Sequence, residues 1–233
     1  MHAMKRNLFT DFIFFFVLFI IVLPPLVGQF FLERQSEVVA QYPLSVFLTG
    51  ALALLIYLFA VKGVVFGEPF EKVRRPFFES FYNYSSNSLV CFGFLCLCTA
   101  SLEIIAYFSG IDSGIKNIVF PDSLFGKLNF LLGVIAAAFS EEVIYRFYLP
   151  RSFKEMLSKK FGDNPRLLLF CEGLALLLFS LGHLYLGILG FINALLCGAA
   201  LRLCMIRTKS LWIPFIIHAL YNLLSFLIAW KVF

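Results

Sequence analysis

Charge is scarce in this sequence. Asp, Glu, Lys and Arg together supply 14% of its 233 residues, against 61% hydrophobic, and the mean hydropathy is +0.91. So few polar side chains cannot clothe a water-soluble globule, and the natural solvent of such a chain is lipid. Histidine is scarcer still: His2, His183 and His218 are the whole complement of 3. Cysteine pairing is missing as well. Cys91, Cys96, Cys98, Cys171, Cys197 and Cys204 lie in or near apolar stretches and form neither facing CxxC units nor a Cys/His set, so they read as small apolar packing residues. Neither GxSxG nor HExxH occurs, which removes the commonest serine-hydrolase and zinc-protease signatures. No repeat or low-complexity linker divides the chain, so a single transmembrane domain over 1–233 is expected.

Long apolar runs are abundant. About 20 apolar residues cross a hydrocarbon core of roughly 30 Å, and runs between charged breaks place spans near 8–32, 44–66, 88–109, 127–149, 167–185, 187–206 and 211–230. The expected fold is an all-α, polytopic helical bundle of about seven spans. Lys5 and Arg6 precede the first run as in a signal peptide, but no small-residue cleavage site follows, so this run reads as an uncleaved span. Pro24 and Pro25 should kink it.

Orientation follows from the cations in the connections, which resist translocation. With the N-terminus cytoplasmic, the inner side collects Lys5, Arg6, Lys62, Lys72, Arg74, Arg75, Arg146, Arg151, Lys154, Lys159, Lys160, Arg166, Arg202, Arg207 and Lys209. Only Arg34, Lys116, Lys127 and Lys231 remain outside. The net charge of +5 thereby becomes a basic inner rim suited to anionic headgroups, and nucleic-acid binding is not needed to explain it. Within that rim, 151–161 reads as a short amphipathic helix lying on the membrane.

Ionisable groups inside a span are costly unless paired or facing a polar cavity, so each is a functional candidate. They are few: Glu141, Glu142 and Arg146; Glu172 and His183; His218, with Asn222 one turn on; and Glu103. Glu142 and Arg146 are four apart and can neutralise each other on one helix face, whereas Glu141 is turned about 100° away and is left available for chemistry. Phe179 and His183, and likewise His218 and Asn222, are each four apart and share a stripe. Glu103 and Glu172 have no comparable partner in sequence and receive no role. Ala194 and Gly198 suggest close helix packing.

Taken together, Glu141-Glu142-x-x-x-Arg146, Phe179-x-x-x-His183 and His218-x-x-x-Asn222, in that order in successive hydrophobic spans, resemble the three motifs of the CAAX protease and bacteriocin-processing (CPBP) family of membrane endopeptidases. The resemblance covers roughly 120–230; segment 1–110 matches only in being hydrophobic. It implies an intramembrane endopeptidase in which Glu141 activates water with help from His183, while His218 and Asn222 stabilise the oxyanion and Glu142, Arg146 and Phe179 support. It also implies a peptide or protein substrate, prenylated or otherwise lipidated in some members, held among membrane lipids. The expected location is a bacterial inner membrane. No cofactor is required by this chemistry, although Glu141, His183 and His218 also make a plausible zinc set. A non-catalytic chaperone or scaffold that grips helices with the same polar pocket is the alternative from another class.

One expectation is strained. At 1.5 Å per residue, Glu141 stands roughly 12 Å from Leu149 and His218 roughly 10 Å from Leu211, but His183 roughly 24 Å from Leu167. A later start to the fifth span, near Glu172, together with kinking near Gly182, would close the gap.

Overall fold

The computed structural model describes residues 8–28, 37–63, 65, 77–111 and 117–232. Helices dominate: α1 (Leu8–Phe16), a π-helical segment (Val17–Val22), α2 (Leu23–Gly28), α3 (Leu44–Val61), α4 (Phe77–Ser109), α5 (Leu124–Glu141), a second π-helical segment (Glu142–Tyr148), α6 (Leu149–Phe161), α7 (Pro165–Leu181), a 3₁₀ turn (Leu184–Leu186), α8 (Gly187–Thr208) and α9 (Trp212–Val232). The all-α bundle is therefore observed. One small addition is a parallel pair, β1 (Glu37–Val39) beside β2 (Asn117–Val119), extended by Ala40 N–H donating to Val119 O at 2.9 Å.

Among the described residues, five helical stretches are long and apolar enough to cross a membrane: Thr10–Gly28, Leu44–Val61, Tyr82–Ser109, Leu124–Phe161 and Leu184–Thr208, with Trp212–Ile228 a shorter apolar helix. Side chains such as Leu97 (68% exposed) and Leu169 (73% exposed) face outward, as lipid-facing residues do. The chain is a multi-pass membrane protein. The expected count of seven spans is not confirmed: α7, with 17 residues including Arg166 and Glu172, is not among the five stretches.

The fourth expected span and the amphipathic helix also prove to be one helical run, Leu124–Phe161, rather than two elements. Pro150 does not stop it: proline lacks an N–H and crowds the carbonyl four residues back, and the backbone absorbs this by widening to π register just before it. The same happens ahead of Pro24 and Pro25, where the expected kink takes the form of the segment Val17–Val22. Gly162 (φ 71°) ends α6, after which Asn164 caps α7 by accepting from Leu167 N–H at 2.9 Å, and Pro165 fills the first turn, where a missing N–H costs nothing.

The bundle packs α4 on α8, α3 on α5, α6 on α7, α7 on α8 and α5 on α9. Its largest core gathers Phe14, Val17 and Val22 with Val143, Ile144, Tyr148 and Leu149, so both π segments are buried in it. Gly198 behaves as the sequence suggested: a Cβ there would stand 2.7 Å from Leu176 Cδ1 and 3.1 Å from Phe179 Cδ1, so a larger residue would force α7 and α8 apart.

Candidate functional site

Glu142 is fully buried, and two groups neutralise it. Arg146 Nη1 lies 3.3 Å from its Oε1, as the i, i+4 spacing predicts, and His218 Nδ1 lies 2.8 Å from the same oxygen. Since an ionised carboxylate can only accept, the proton of this bond belongs to His218 Nδ1. The other ring nitrogen, Nε2, stands 3.5 Å from Glu141 Oε2. His218 thus lies between two adjacent carboxylates of different character, Glu142 sealed (side chain 0% exposed) and Glu141 open (26%). The sequence assigned Glu142 to Arg146 alone; its bond to His218, 76 residues away, had no local signal.

Arg146 is 3% exposed. Its guanidinium lies 3.8 Å over the Phe179 ring centroid, a cation–π contact that, with Glu142, meets the charge of a group whose Nη1 and Nη2 have no hydrogen-bond partner among the described residues. The Arg146 carbonyl, the one that Pro150 leaves without its α-helical donor, accepts from Arg202 Nη1 at 2.9 Å. Arg202 in turn binds Glu172 at 2.5 Å. Glu172, left without a role by the sequence, is therefore half of an α7–α8 ion pair that fixes the backbone beneath Arg146. On the far side of Arg146 lies a cavity of about 570 Å³ bordered by Arg151, Lys154, Arg202 and Lys209, which none of Glu141, His183, His218 and Asn222 lines.

His183 is not inside a helix as the 167–185 span implied: α7 ends at Leu181, and His183 occupies the turn before the 3₁₀ segment. The ring nevertheless folds back on its motif partner, 4.6 Å from the Phe179 ring, with Nδ1–H donated to Phe179 O at 2.9 Å. That bond places a proton on Nδ1 and leaves Nε2 outside it.

Nor does α7 begin late, near Glu172; it begins at Pro165. The depth conflict dissolves for another reason. Phe179 meets Tyr145 at 5.4 Å and Arg146 at 3.8 Å, and α7 runs opposite to the helix it packs on. Four residues forward from Phe179 therefore bring His183 to the level reached four residues back from Tyr145, which is Glu141. The ruler failed because Leu149 is no helix end.

The same register argument places Asn222. His218 meets Glu141 and Glu142, while Phe226 meets Phe130 with ring centroids at 5.2 Å, so α9 runs antiparallel to α5. Asn222, midway between His218 and Phe226, lies at the level of the stretch of α5 between Phe130 and Glu141. It is half-buried. The rotation of α9 is held by a buried polar cluster that sequence reading missed: Asn193 Nδ2 donates to the Tyr221 hydroxyl at 3.1 Å, Thr99 Oγ1 bonds the same hydroxyl, and Thr99 Oγ1 donates to Asn193 Oδ1 at 3.1 Å. Three elsewhere unremarkable residues, with Cys197 donating to Asn193 at 3.4 Å, thereby tie α9 to α4 and α8 beside the His218–Asn222 stripe. Polar residues in apolar helices were the available signal.

Around Glu141 the structure adds three phenols within electrostatic reach, those of Tyr42, Tyr145 and Tyr185. Tyr185 also stacks on His183, centroids 6.4 Å apart. Among the described residues no three His, Cys, Asp or Glu side chains gather as metal ligands would.

No curated protein and no solved structure matches the chain. A family model does: residues 123–224 match the one described as type II CAAX prenyl endopeptidase Rce1-like. That interval runs from the Ser123 cap of α5 past Asn222 and takes in all three motifs. Over this segment, somewhat less than half of its length, the chain is similar to the Rce1-like family of CAAX-type prenyl endopeptidases.

Proposed function

We propose that this protein is an intramembrane endopeptidase that hydrolyses a peptide bond of a membrane-associated or lipidated substrate with water activated by Glu141. The observation that carries the reading is the placement of His218 between an open and a sealed carboxylate inside the bundle. Glu142 and Arg146 offset each other, and His218, held through Nδ1 on Glu142, turns Nε2 toward Glu141. Such an arrangement holds a donor and a base side by side without an uncompensated buried charge.

In the proposed reaction Glu141 takes a proton from water as its oxygen attacks the scissile carbonyl, with His183 Nε2 as a second acceptor for the water. His218 Nε2–H and the Asn222 amide donate to the oxyanion; in a dry site each such donor contributes roughly 3–4 kcal/mol. The C–N bond then breaks, and the proton held by Glu141 passes to the leaving amine. This chemistry needs no metal. We place the N-terminus and the basic face of α6 in the cytoplasm, in keeping with the Lys and Arg distribution.

The test uses purified protein in lipid nanodiscs and a fluorogenic S-farnesylated peptide ending in a CAAX sequence. Cleavage that persists in strong chelator is the expected result. Loss on chelation with recovery on stoichiometric zinc would move the reaction to a metal mechanism, and peptide binding without turnover would favour the scaffold reading. Orientation is read by impermeant-thiol labelling of Ser36→Cys and Ser158→Cys in sealed cells. Labelling of the Ser158 variant from outside contradicts the N-in arrangement.

A further inference from the structure

Segment 40–43 lies outside the three motifs and outside the family match, yet it is built into the site. Ala40 is tied to Val119, and the next turn is clamped by one side chain: Tyr42 N–H donates to Asn129 Oδ1 at 2.8 Å, and Asn129 Nδ2 donates to Tyr42 O at 3.1 Å. An amide that satisfies both main-chain groups of one residue fixes its position on α5 far better than apolar packing alone. The ring of Tyr42 then crosses Gly133, where a Cβ would stand 2.1 Å from Tyr42 Cδ2; only glycine leaves room for it. Phe130 flanks the ring, and Leu223 and Phe226 of α9 belong to the same apolar cluster.

Gly133 lies two turns before Glu141 on the same stripe of α5, with Ala137 between them. The ring base stands over Gly133 while Glu141 and Tyr185 are the groups that act on the hydroxyl end. The phenol therefore ends in the interval around Ala137, within the stretch of α5 at whose level the antiparallel register sets Asn222. Tyr42 is half-buried, and its hydroxyl has no hydrogen-bond partner among the described residues. Burial, and then the negative charge of Glu141, push this phenol well above its ordinary range, so it remains a donor at any working pH. An apolar cluster that delivers a fixed, unpartnered donor within reach of a carboxylate is arranged for a ligand with an exposed acceptor. An extended peptide presents such acceptors in its main-chain carbonyls.

We propose that Tyr42 is a substrate-binding residue of the Glu141 site, its hydroxyl donating a hydrogen bond to a main-chain carbonyl of the bound peptide. The proposal rests on the reading of Glu141 as the base. It gives the N-terminal part of the chain a direct share in recognising the substrate: the clamp through Asn129 and the gap at Gly133 are positioning features, and the phenol is the contact.

The experiment compares wild type, Tyr42→Phe, Gly133→Ala and Glu141→Gln in nanodiscs on the same farnesylated peptide. Tyr42→Phe keeps the ring over Gly133 and should fold as wild type. Loss of one substrate hydrogen bond should lower kcat/KM roughly tenfold, mainly as a higher KM because the bond is made in ground and transition state alike. Gly133→Ala, which displaces the ring, should reproduce the loss. In the Glu141→Gln background, where peptide binds without turnover, Tyr42→Phe should weaken binding by the same factor in fluorescence anisotropy. Unchanged kcat/KM and unchanged binding in Tyr42→Phe overturn the role of Tyr42 and leave Glu141 untouched. Full turnover by Glu141→Gln overturns the reading of the site itself.

Discussion

The bundle contains two π-helical segments, Val17–Val22 and Glu142–Tyr148, and each stands directly before proline in the next helix. In the first, Pro24 and Pro25 offer no N–H to the carbonyls of Ile20 and Ile21; in the second, Pro150 offers none to Arg146. The backbone response is the same, but the side chains differ completely. Val17, Ile21 and Val22 are buried apolar residues in the first, whereas Glu142 and Arg146 are buried ions in the second. The second segment also has a long-range partner, Arg202, for the carbonyl that proline frees, and Arg202 is itself paired with Glu172. A widened helical turn is thus a general answer to proline. It becomes part of a site only where a neighbouring helix supplies polar partners.

The largest expected effect falls on the ion pair that distinguishes the second segment. Glu142→Gln leaves Arg146 buried with only a ring face beside it and removes the anchor of His218 Nδ1. Unfolding in mixed micelles should show a loss of about 3–5 kcal/mol, with turnover falling as a consequence. A stable Glu142→Gln protein would erase the difference between the two segments. Arg202→Ala comes next. It orphans the Glu172 carboxylate and uncaps the Arg146 carbonyl, and about 1–3 kcal/mol should be lost in the same measurement.

Proline replacement sharpens the comparison at the backbone. Pro150→Ala supplies the missing N–H and lets Glu142–Tyr148 return toward α register. Single-turnover cleavage should slow several-fold with stability changed by no more than about 1 kcal/mol. The smallest effect belongs to the double change Pro24→Ala with Pro25→Ala, which makes the same repair in the apolar segment and should leave single-turnover rates within about twofold of wild type. Equal slowing in both would mean that backbone register, rather than the side chains it carries, controls the site.

What could be read from the sequence was whatever rests on local periodicity. Glu142 with Arg146, Phe179 with His183 and the stripe His218–Asn222 are i, i+4 pairs, and lipid as solvent follows from composition alone. What could not be read depends on contacts between distant elements. His218 on Glu142, Arg202 on Glu172 and Asn129 on Tyr42 join residues 76, 30 and 87 positions apart, and no spacing rule links them. Glu172 seemed idle because its partner is on α8. The depth ruler misplaced His183 because it took Leu149 as an end, although proline bends this helix without stopping it. The count of seven spans is not confirmed at α7, where an apolar run long enough on paper holds a helix of 17 residues that carries Arg166 and Glu172.

The most direct test of the account sets Glu141→Gln beside wild type in detergent-solubilised thermal unfolding and in single-turnover cleavage of the farnesylated peptide. Glu141 is the open carboxylate, outside the Glu142–Arg146 ion pair and 3.5 Å from His218 Nε2, so the account predicts an unchanged unfolding curve and a rate at least about 10²-fold lower, the loss expected for a general base. A Glu141→Gln protein that unfolds early, beside a Glu142→Gln protein that is stable but inactive, would contradict it and transfer the base to Glu142.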